Sequence, residues 1–175
     1  MLLKQYGKYI CFVLSLALLG GLLGQGCGFG SPEKRFAKGT QYLDAGEYGR
    51  AAIEFLNVLE KEPEHIPARF GLARCLIHQG NRGAAEGTLK RVLRDEPGHV
   101  GAKTELIPFQ VDAGEIAEAL QAVTELMSQN PGEPRPAYLF AQSLLRRGAF
   151  GQAMVTIENA LALEPDNTDF LRIQA

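Results

Sequence analysis

The side chains best suited to chemistry in this sequence are three histidines and three cysteines. Histidine ligates metals and transfers protons, and a cysteine thiolate is a nucleophile. His65 and His99 stand 34 residues apart, the period of a repeat that runs through the chain. Because packed helices lie roughly 8–10 Å apart, two equivalent residues of successive repeats cannot both approach one zinc ion to about 2.0 Å. The spacing predicts no metal site, and His65 and His99 are interpreted as solvated loop residues.

No other group of residues has the arrangement that catalysis requires. Charged runs at 61–64 and 94–96 are interpreted as solvated loop edges, whereas acid–base catalysis needs carboxylates in a cleft with raised pKa values. Cys75 is interpreted as a small buried hydrophobe, with a reactive thiol as the alternative. We therefore predict that the protein is not an enzyme and needs no cofactor.

The N-terminal segment has the composition of a secretory signal. Residues 1–26 contain Lys4 and Lys8, no acid, and an apolar stretch at 9–23 that is followed by small residues. A membrane span needs about 20 apolar residues, so the stretch is short for that role. An uncleaved membrane anchor is the alternative.

Without this segment the 18 basic and 20 acidic residues become 16 and 20, a net charge of −4. This charge argues against a nucleic-acid partner, and the sequence leaves the oligomeric state open.

Residues 23–27, Leu-Gly-Gln-Gly-Cys, resemble a bacterial lipobox, in which a small residue precedes a cysteine that is acylated before cleavage. Gly26 fits that pattern, whereas Leu23 stands one residue earlier than usual. The resemblance implies a signal peptide at 1–26, a Cys27 lipidated with fatty acids such as palmitate, and a short tether at 27–31. The protein would then face the periplasm from a bacterial membrane, with the outer membrane favoured because residue 28 is not Asp. A plain cleaved signal is the alternative.

Glycine, alanine and proline recur together at intervals of 34 residues. The three series are Gly46, Gly80, Gly114 and Gly148; Ala51, Ala85, Ala119 and Ala153; and Pro63, Pro97, Pro131 and Pro165. A fixed period of this length is typical of stacked copies of one supersecondary unit. In the first copy, helices are predicted over 32–45 and 48–61, with Gly46 as a left-handed C-cap between them.

The four units resemble the tetratricopeptide repeat. That family has small residues at positions eight and twenty of its unit, apolar residues at eleven and twenty-four, and Pro at thirty-two. The resemblance covers 32–167 and implies an all-α protein, a right-handed α-solenoid of four helix-turn-helix repeats (32–65, 66–99, 100–133 and 134–167). Residues 168–175 are predicted to form a partial capping helix, unless the array continues in a partner.

The third repeat departs from the pattern. Ile107 and Gln110 replace the small and apolar residues of the other repeats, and Pro108 falls within the predicted first helix. Proline removes a helical hydrogen bond and costs about 3 kcal/mol. The two interpretations are a kink that neighbouring helices absorb and a local widening of the binding groove.

In this family, first helices line a concave groove that binds partners. The corresponding residues here are Phe36, Asp44, Phe70, Arg74, His78, Asp112, Arg135, Tyr138 and Arg146. Aromatic and arginine side chains anchor interfaces, so we expect an apolar or mixed peptide. The Lys and Asn clamp with which chaperone-tail binders of the family hold a C-terminal carboxylate is not matched. The alternative is that the rings only pack against neighbouring helices.

Together these features predict a membrane-anchored periplasmic scaffold. It resembles repeat lipoproteins that assist type IV pilus assembly or accompany exosortase and exopolysaccharide systems, which implies a role in envelope, pilus or exopolysaccharide assembly. One alternative is a non-catalytic accessory module that docks onto an envelope hydrolase or transferase. Another is a repeat protein anchored in the inner membrane by its uncleaved segment.

Overall fold

The computed structural model describes residues 30–130 and 132–163. These residues form eight α-helices and no strand: α1 (Pro32–Asp44), α2 (Tyr48–Lys61), α3 (Ile66–His78), α4 (Arg82–Asp95), α5 (Val100–Ala113), α6 (Ile116–Gln129), α7 (Arg135–Arg146) and α8 (Phe150–Leu163). None of these helices has the length and apolarity needed to cross a bilayer. The predicted signal peptide, Cys27 and the predicted capping helix at 168–175 lie outside the described residues.

The helices pack as a linear series. Each helix packs against the one that follows it in the chain, and α1 also packs against α3, as α5 does against α7. No single pair could bury its apolar face alone, so the pairs stack into a shared core. This arrangement confirms the predicted all-α solenoid of helix pairs. The first helix ends at Asp44, one residue before its predicted end.

The same glycine turn joins the two helices of every pair. Gly46, Gly80, Gly114 and Gly148 have φ values of 75°, 74°, 90° and 76°. In the first turn, the Gly46 N–H donates to the Leu43 carbonyl (3.1 Å) and the Glu47 N–H donates to the Tyr42 carbonyl (2.8 Å). This pair of bonds is a Schellman motif, and it recurs at the other three turns. The predicted left-handed C-caps are therefore confirmed.

The recurring alanines lie where the two helices of a pair touch. Ala51, Ala85, Ala119 and Ala153 are all fully buried. The apolar stripes that follow them along the second helices are buried too: Phe55, Val58, Leu89, Val92, Val123, Leu126, Ile157 and Ala160. The sequence period therefore marks the core face of each second helix.

The ring of Phe55 is held between two glycines. A Cβ added to Gly39 on α1 would lie 2.8 Å from the Phe55 Cε1 atom, and one added to Gly71 on α3 would lie 2.6 Å from its Cζ atom. Both distances are far below ordinary carbon contacts of about 3.5–4.0 Å. The glycines thus allow one aromatic ring on α2 to fill the space between α1 and α3.

Helix α5 continues through Pro108. The helix runs from Val100 to Ala113 with this proline inside it. Because proline has no N–H, the carbonyl of Thr104 loses its helical donor. The helix nevertheless continues past Pro108. Pro108 lies on the wall of the cleft described below.

Candidate functional site: an arginine-lined cleft

A cleft of about 200 Å³ opens among the first helices of the second, third and fourth repeats, α3, α5 and α7. Phe70 of α3 packs over Gly101 of α5, where an added Cβ would come within 2.7 Å of the ring. Side chains of α3 and α5 share one hydrophobic cluster, but the backbones of these two helices approach each other less closely than those of α1 and α3 or of α5 and α7. The cleft occupies the space between them, and a second depression adjoins it, bordered by Phe70, Thr104 and Glu133.

Four arginines line the cleft: Arg74, Arg82, Arg135 and Arg146. Two carboxylates pair with them. Glu105 accepts a hydrogen bond from Arg135 at 2.6 Å. Asp112 pairs with Arg82 and lies 4.0 Å from the guanidinium of Arg146. Although the whole chain carries a net charge of −2, the lining of this cleft is positively charged.

Arg74 occupies a distinctive place among these four. Its half-buried side chain lines both the cleft and the adjoining depression. The carboxylates of the cleft pair instead with Arg82, Arg135 and Arg146, and no ion pair to Arg74 forms within residues 30–130 and 132–163. An incoming anion could therefore bind Arg74 without displacing a carboxylate of the protein.

Apolar side chains separate the cations. Ile77, Phe109 and Leu139 lie on the cleft wall, one from each of the three helices. The guanidinium carbon of Arg82 lies 4.5 Å from the centroid of the Phe109 ring, a cation–π geometry that holds the guanidinium against an apolar surface. The cleft thus offers alternating positive and apolar contacts.

Five of the nine predicted groove residues line the two depressions: Phe70, Arg74, His78, Arg135 and Arg146. Asp112 joins them through its ion pairs. Phe36, Asp44 and Tyr138 are not among the lining residues. Asp44 is exposed at the end of α1, and the half-buried Tyr138 accepts a hydrogen bond from the Gln142 amide at 3.3 Å.

The interpretation of His65 and His99 as solvated loop residues was wrong. Both are half-buried N-caps, of α3 and α5. The Nδ1 atom of His65 accepts a hydrogen bond from the Ala68 N–H at 3.0 Å, and that of His99 accepts one from the Ala102 N–H at 3.1 Å. Each imidazole therefore satisfies a backbone donor that the first helical turn leaves unpaired.

The same two histidines pack against two of the three aromatic rings predicted to line the groove, Phe36, Phe70 and Tyr138. The ring centroid of Phe36 lies 5.0 Å from that of His65, and the centroid of Phe70 lies 4.6 Å from that of His99. Phe36 also packs against the core ring of Phe55 at 5.9 Å. Two of the three rings thus pack between neighbouring helices, as the alternative to a binding role had it. Less aromatic surface is therefore left for an apolar ligand.

Sequence reasoning missed several residues that line the cleft, among them Arg82, Glu105 and Phe109. Arg82 belongs to a second helix, whereas only first-helix positions were considered. The available signal was its place directly after the glycine turn and the Asn81 N-cap, from which a long side chain can reach the next repeat. Glu105 and Phe109 stand outside the family positions used for the prediction.

Comparison with known proteins identifies the family of the repeats. The model of a family described as "Tetratricopeptide repeat" matches residues 42–104 and 110–175. No curated protein matches the sequence.

Several solved structures share the fold. "MamA AMB-1" superposes with a TM-score of 0.62 at 21% identity, covering 79% of this chain and 76% of that one. YrrB, described as a TPR protein with an unusual peptide-binding site, gives a TM-score of 0.67 at 18% identity, covering 82% and 74%. The pilF protein of Pseudomonas aeruginosa gives 0.64 at 18% identity, covering 79% and 64%. At these identities the likeness concerns the fold alone.

Proposed function

Because this chain belongs to the tetratricopeptide repeat family, we propose that it is a non-catalytic scaffold whose cleft binds a segment of a partner protein. The observation that carries the proposal is the arginine-lined cleft that crosses three successive first helices. Arginine and aromatic side chains anchor many protein interfaces. The cleft, at about 200 Å³, suits a few side chains of a bound segment better than a cofactor, for which sites of roughly 300–1,000 Å³ are typical. The peptide-binding site named for YrrB, which has the same fold, also supports a peptide ligand.

We further propose that the scaffold is anchored by a lipid on Cys27 and faces the periplasm, with the outer membrane favoured. The support is the order of features in the sequence: two lysines, an apolar core, and Gly26 before Cys27. Each buried CH₂ of an acyl chain contributes about 0.8 kcal/mol, so two or more chains make release slow. The short segment between Cys27 and α1 would keep the first repeat close to the membrane.

The assembly system served by the scaffold is proposed from its combination of features. A lipid-anchored array of tetratricopeptide repeats resembles the lipoproteins of pilus and exopolysaccharide systems, so we propose a role in envelope, pilus or exopolysaccharide assembly. The fold shared with the pilF protein of Pseudomonas aeruginosa agrees with this proposal. Docking onto an envelope enzyme as an accessory module remains the alternative.

Site-specific photo-crosslinking in the native host tests the binding role. We would place p-benzoylphenylalanine at Gln142 in the cleft and, as a matched control, at Glu158, which is exposed on α8. We expect irradiation to produce a discrete adduct from position 142 and none from position 158. A partner captured only from position 158, or no adduct at position 142, would contradict the proposal.

Metabolic labelling tests the anchor. Cells fed an alkyne fatty acid should label the wild-type protein and a Cys11→Ala control, whereas Cys27→Ala should lose the label. Equal labelling of the wild type and Cys27→Ala would show that Cys27 does not carry the lipid.

A further inference from the structure

We propose that the segment bound in the cleft is acidic, with several Asp or Glu side chains that alternate with apolar ones. This inference rests on the proposed function, because it specifies the ligand of the same cleft. It narrows the expectation of an apolar or mixed peptide to a mixed and acidic one, since the rings of Phe36 and Phe70 pack against histidines.

The arginines of the cleft outnumber the carboxylates that pair with them in the described chain. Four arginines line the cleft, and Glu105 and Asp112 are the carboxylates that pair with them in the described chain. Arg74 has neither of these partners. The 4.0 Å separation of Arg146 from Asp112 is beyond hydrogen-bond distance. Arg146 also donates a hydrogen bond to the Ser143 hydroxyl at 3.3 Å, but a guanidinium has five N–H donors. Arg74 and Arg146 therefore both have donors left for carboxylates from outside, and Arg–carboxylate pairs are among the stronger charged contacts.

The arginines are distributed along the groove, over both the cleft and the adjoining depression. Arg74 and Arg135 border both the cleft and the adjoining depression, whereas Arg146 and Arg82 lie only on the cleft. A peptide segment that runs from the adjoining depression into the cleft would meet Arg74 and Arg135 first. It would then meet Arg82 and Arg146. Ile77 on the cleft wall supplies an apolar surface in the same groove, as do Phe109 and Leu139. This order of contacts suits a segment in which acidic and apolar side chains alternate.

The cleft favours side-chain carboxylates over other anions. The four arginines of the cleft come from α3, from the start of α4 and from the two ends of α7. The single carboxylate at the C-terminus of a peptide could not contact all four. Nucleic acid would need aromatic faces on which bases stack. Here Phe70 packs on His99, and the Phe109 ring is 7% exposed with Arg82 over it.

Fluorescence anisotropy with synthetic peptides tests the inference on the full chain purified in detergent. The probe is a labelled peptide in which Glu and Leu alternate, and its matched control has Gln in place of every Glu. We expect the acidic peptide to bind at least about tenfold more tightly than the control. Added salt should weaken its binding, and amidation of its C-terminus should leave the affinity unchanged.

A pair of arginine variants locates the binding. Arg74→Gln should weaken binding of the acidic peptide by about tenfold, whereas Arg91→Gln, at an exposed position of α4 away from the cleft, should leave it unchanged. Circular dichroism checks the fold, and Arg146→Gln replaces Arg74→Gln if the latter unfolds.

The outcomes separate this inference from the proposed function. Absence of acidic-peptide binding, equal affinity for the Gln peptide, or dependence on a free C-terminus would overturn it. Stronger binding of single-stranded DNA with the same dependence on Arg74 would also overturn it. If position 142 still forms a crosslink to a partner, any of these results would leave the proposed scaffold function intact. They would then mean that the cleft binds a ligand of different chemistry.

Discussion

A basic residue occupies the same place in three repeats and binds an acid on the paired second helix. The pairs are Arg35–Glu54, Arg69–Asp95 and Lys103–Glu125. In the fourth repeat the place is taken by the buried Ala137. The acids stand at different points of their repeats, so the 34-residue period does not reveal the pairs. Where the pair is buried, removal of one partner leaves a charge without compensation.

Glu54 is predicted to stabilise the fold in a pH-dependent manner. It is 7% exposed and accepts hydrogen bonds from Lys38 at 2.8 Å and Arg35 at 3.0 Å. The Lys38 hydrogen bond and charge, with those of Arg35, lower the pKa of Glu54 below its ordinary value of 4.5, although desolvation opposes them. Glu54→Gln should lower the free energy of unfolding by about 1–2 kcal/mol at pH 7.

The sign of the pH effect follows from the lowered pKa. The stabilisation from Glu54 is present above pH 4.5, its ordinary value, and is lost as the pH falls through the lowered value of the folded state. Urea unfolding of the wild type and Glu54→Gln should therefore converge toward low pH. Glu60→Gln, at an exposed position of the same helix, is the control and should change little. A difference that stays constant from about pH 7 to about pH 3 would show that the ion pairs do not stabilise the fold.

Cys75 is predicted to be unreactive in the folded protein. Its side chain is fully buried, and this burial raises the pKa of the thiol to about 11. Because the thiolate is the reactive species, iodoacetamide at neutral pH should not modify Cys75 until urea unfolds the chain. Mass spectrometry of the peptide that contains Cys75 measures this. Rapid modification of the native protein would restore the alternative of a reactive thiol.

At the scale of the helices, the two glycines that enclose Phe55 set the distance between α1, α2 and α3. Gly71→Ala would place a methyl group 2.6 Å from the Phe55 Cζ atom. We expect this overpacking to lower the free energy of unfolding by about 1–3 kcal/mol. Adding Phe55→Leu, which introduces the residue type found at the equivalent Leu89, should make the cost of Gly71→Ala smaller.

A glycine elsewhere in the chain provides the control. Gly87 lies within α4, and a Cβ added there would meet no atom within 4 Å. Because glycine is less favourable than alanine in a helix by about 0.5–1 kcal/mol, Gly87→Ala should stabilise the protein. Denaturant titrations of the wild type, Gly71→Ala, Phe55→Leu and the double variant form a double-mutant cycle. A cost for Gly71→Ala that is unchanged in the Phe55→Leu background would rule out the ring as its cause.

Gln110 is predicted to be a weak point of α5. Its side-chain oxygen is buried and has no hydrogen-bond partner among the described residues, whereas the equivalent positions of the other repeats hold Tyr42, Leu76 and Leu144. Replacement of an unsatisfied buried acceptor by a side chain of similar shape removes its desolvation penalty. Gln110→Leu should raise the free energy of unfolding by about 1 kcal/mol, and Gln121→Leu, exposed on α6, serves as the control. Destabilisation by Gln110→Leu would mean that the amide has a partner.

The helices could be predicted from the sequence because each of their signals is local and repeated four times. Gly46 marks a turn whose φ of 75° disfavours side chains, and Ala51 marks a close helix contact. The His65 N-cap was missed because histidine is an uncommon residue at that position. Its ring packs against Phe36, which stands far from it in the chain, near the start of α1, and gives no signal near His65.

At the scale of the whole molecule, the core is a series of clusters rather than a single centre. The last of these clusters joins α5 to α8 and contains the fully buried Ala119. Ala119→Leu should overpack it by about 1–3 kcal/mol. Because each repeat of a solenoid contacts only its neighbours, hydrogen exchange should speed up in α5–α8 and stay slow in α1 and α2. Ala117→Leu, exposed on the same helix, is the control, and uniform loss of protection would indicate a single cooperative unit.

The cleft was less predictable than the helices because it depends on relations between repeats. Family positions identified Arg74, Arg135 and Arg146 individually. They did not predict that the backbones of α3 and α5 would approach each other less closely than those of other neighbouring first helices, or that Arg82 of a second helix would reach Phe109. The packing of helices around one another decides these contacts, and no local pattern in the chain encodes them.

The four glycine turns also bear on how such a protein can change in length over evolution. Every joint has a φ between 74° and 90° and the same two hydrogen bonds. A gene duplication or deletion of one whole 34-residue unit would leave each remaining joint intact, whereas a shift of one residue would force a side chain into the left-handed region. Selection can therefore lengthen or shorten the surface offered to a partner by whole units, without redesign of the joints.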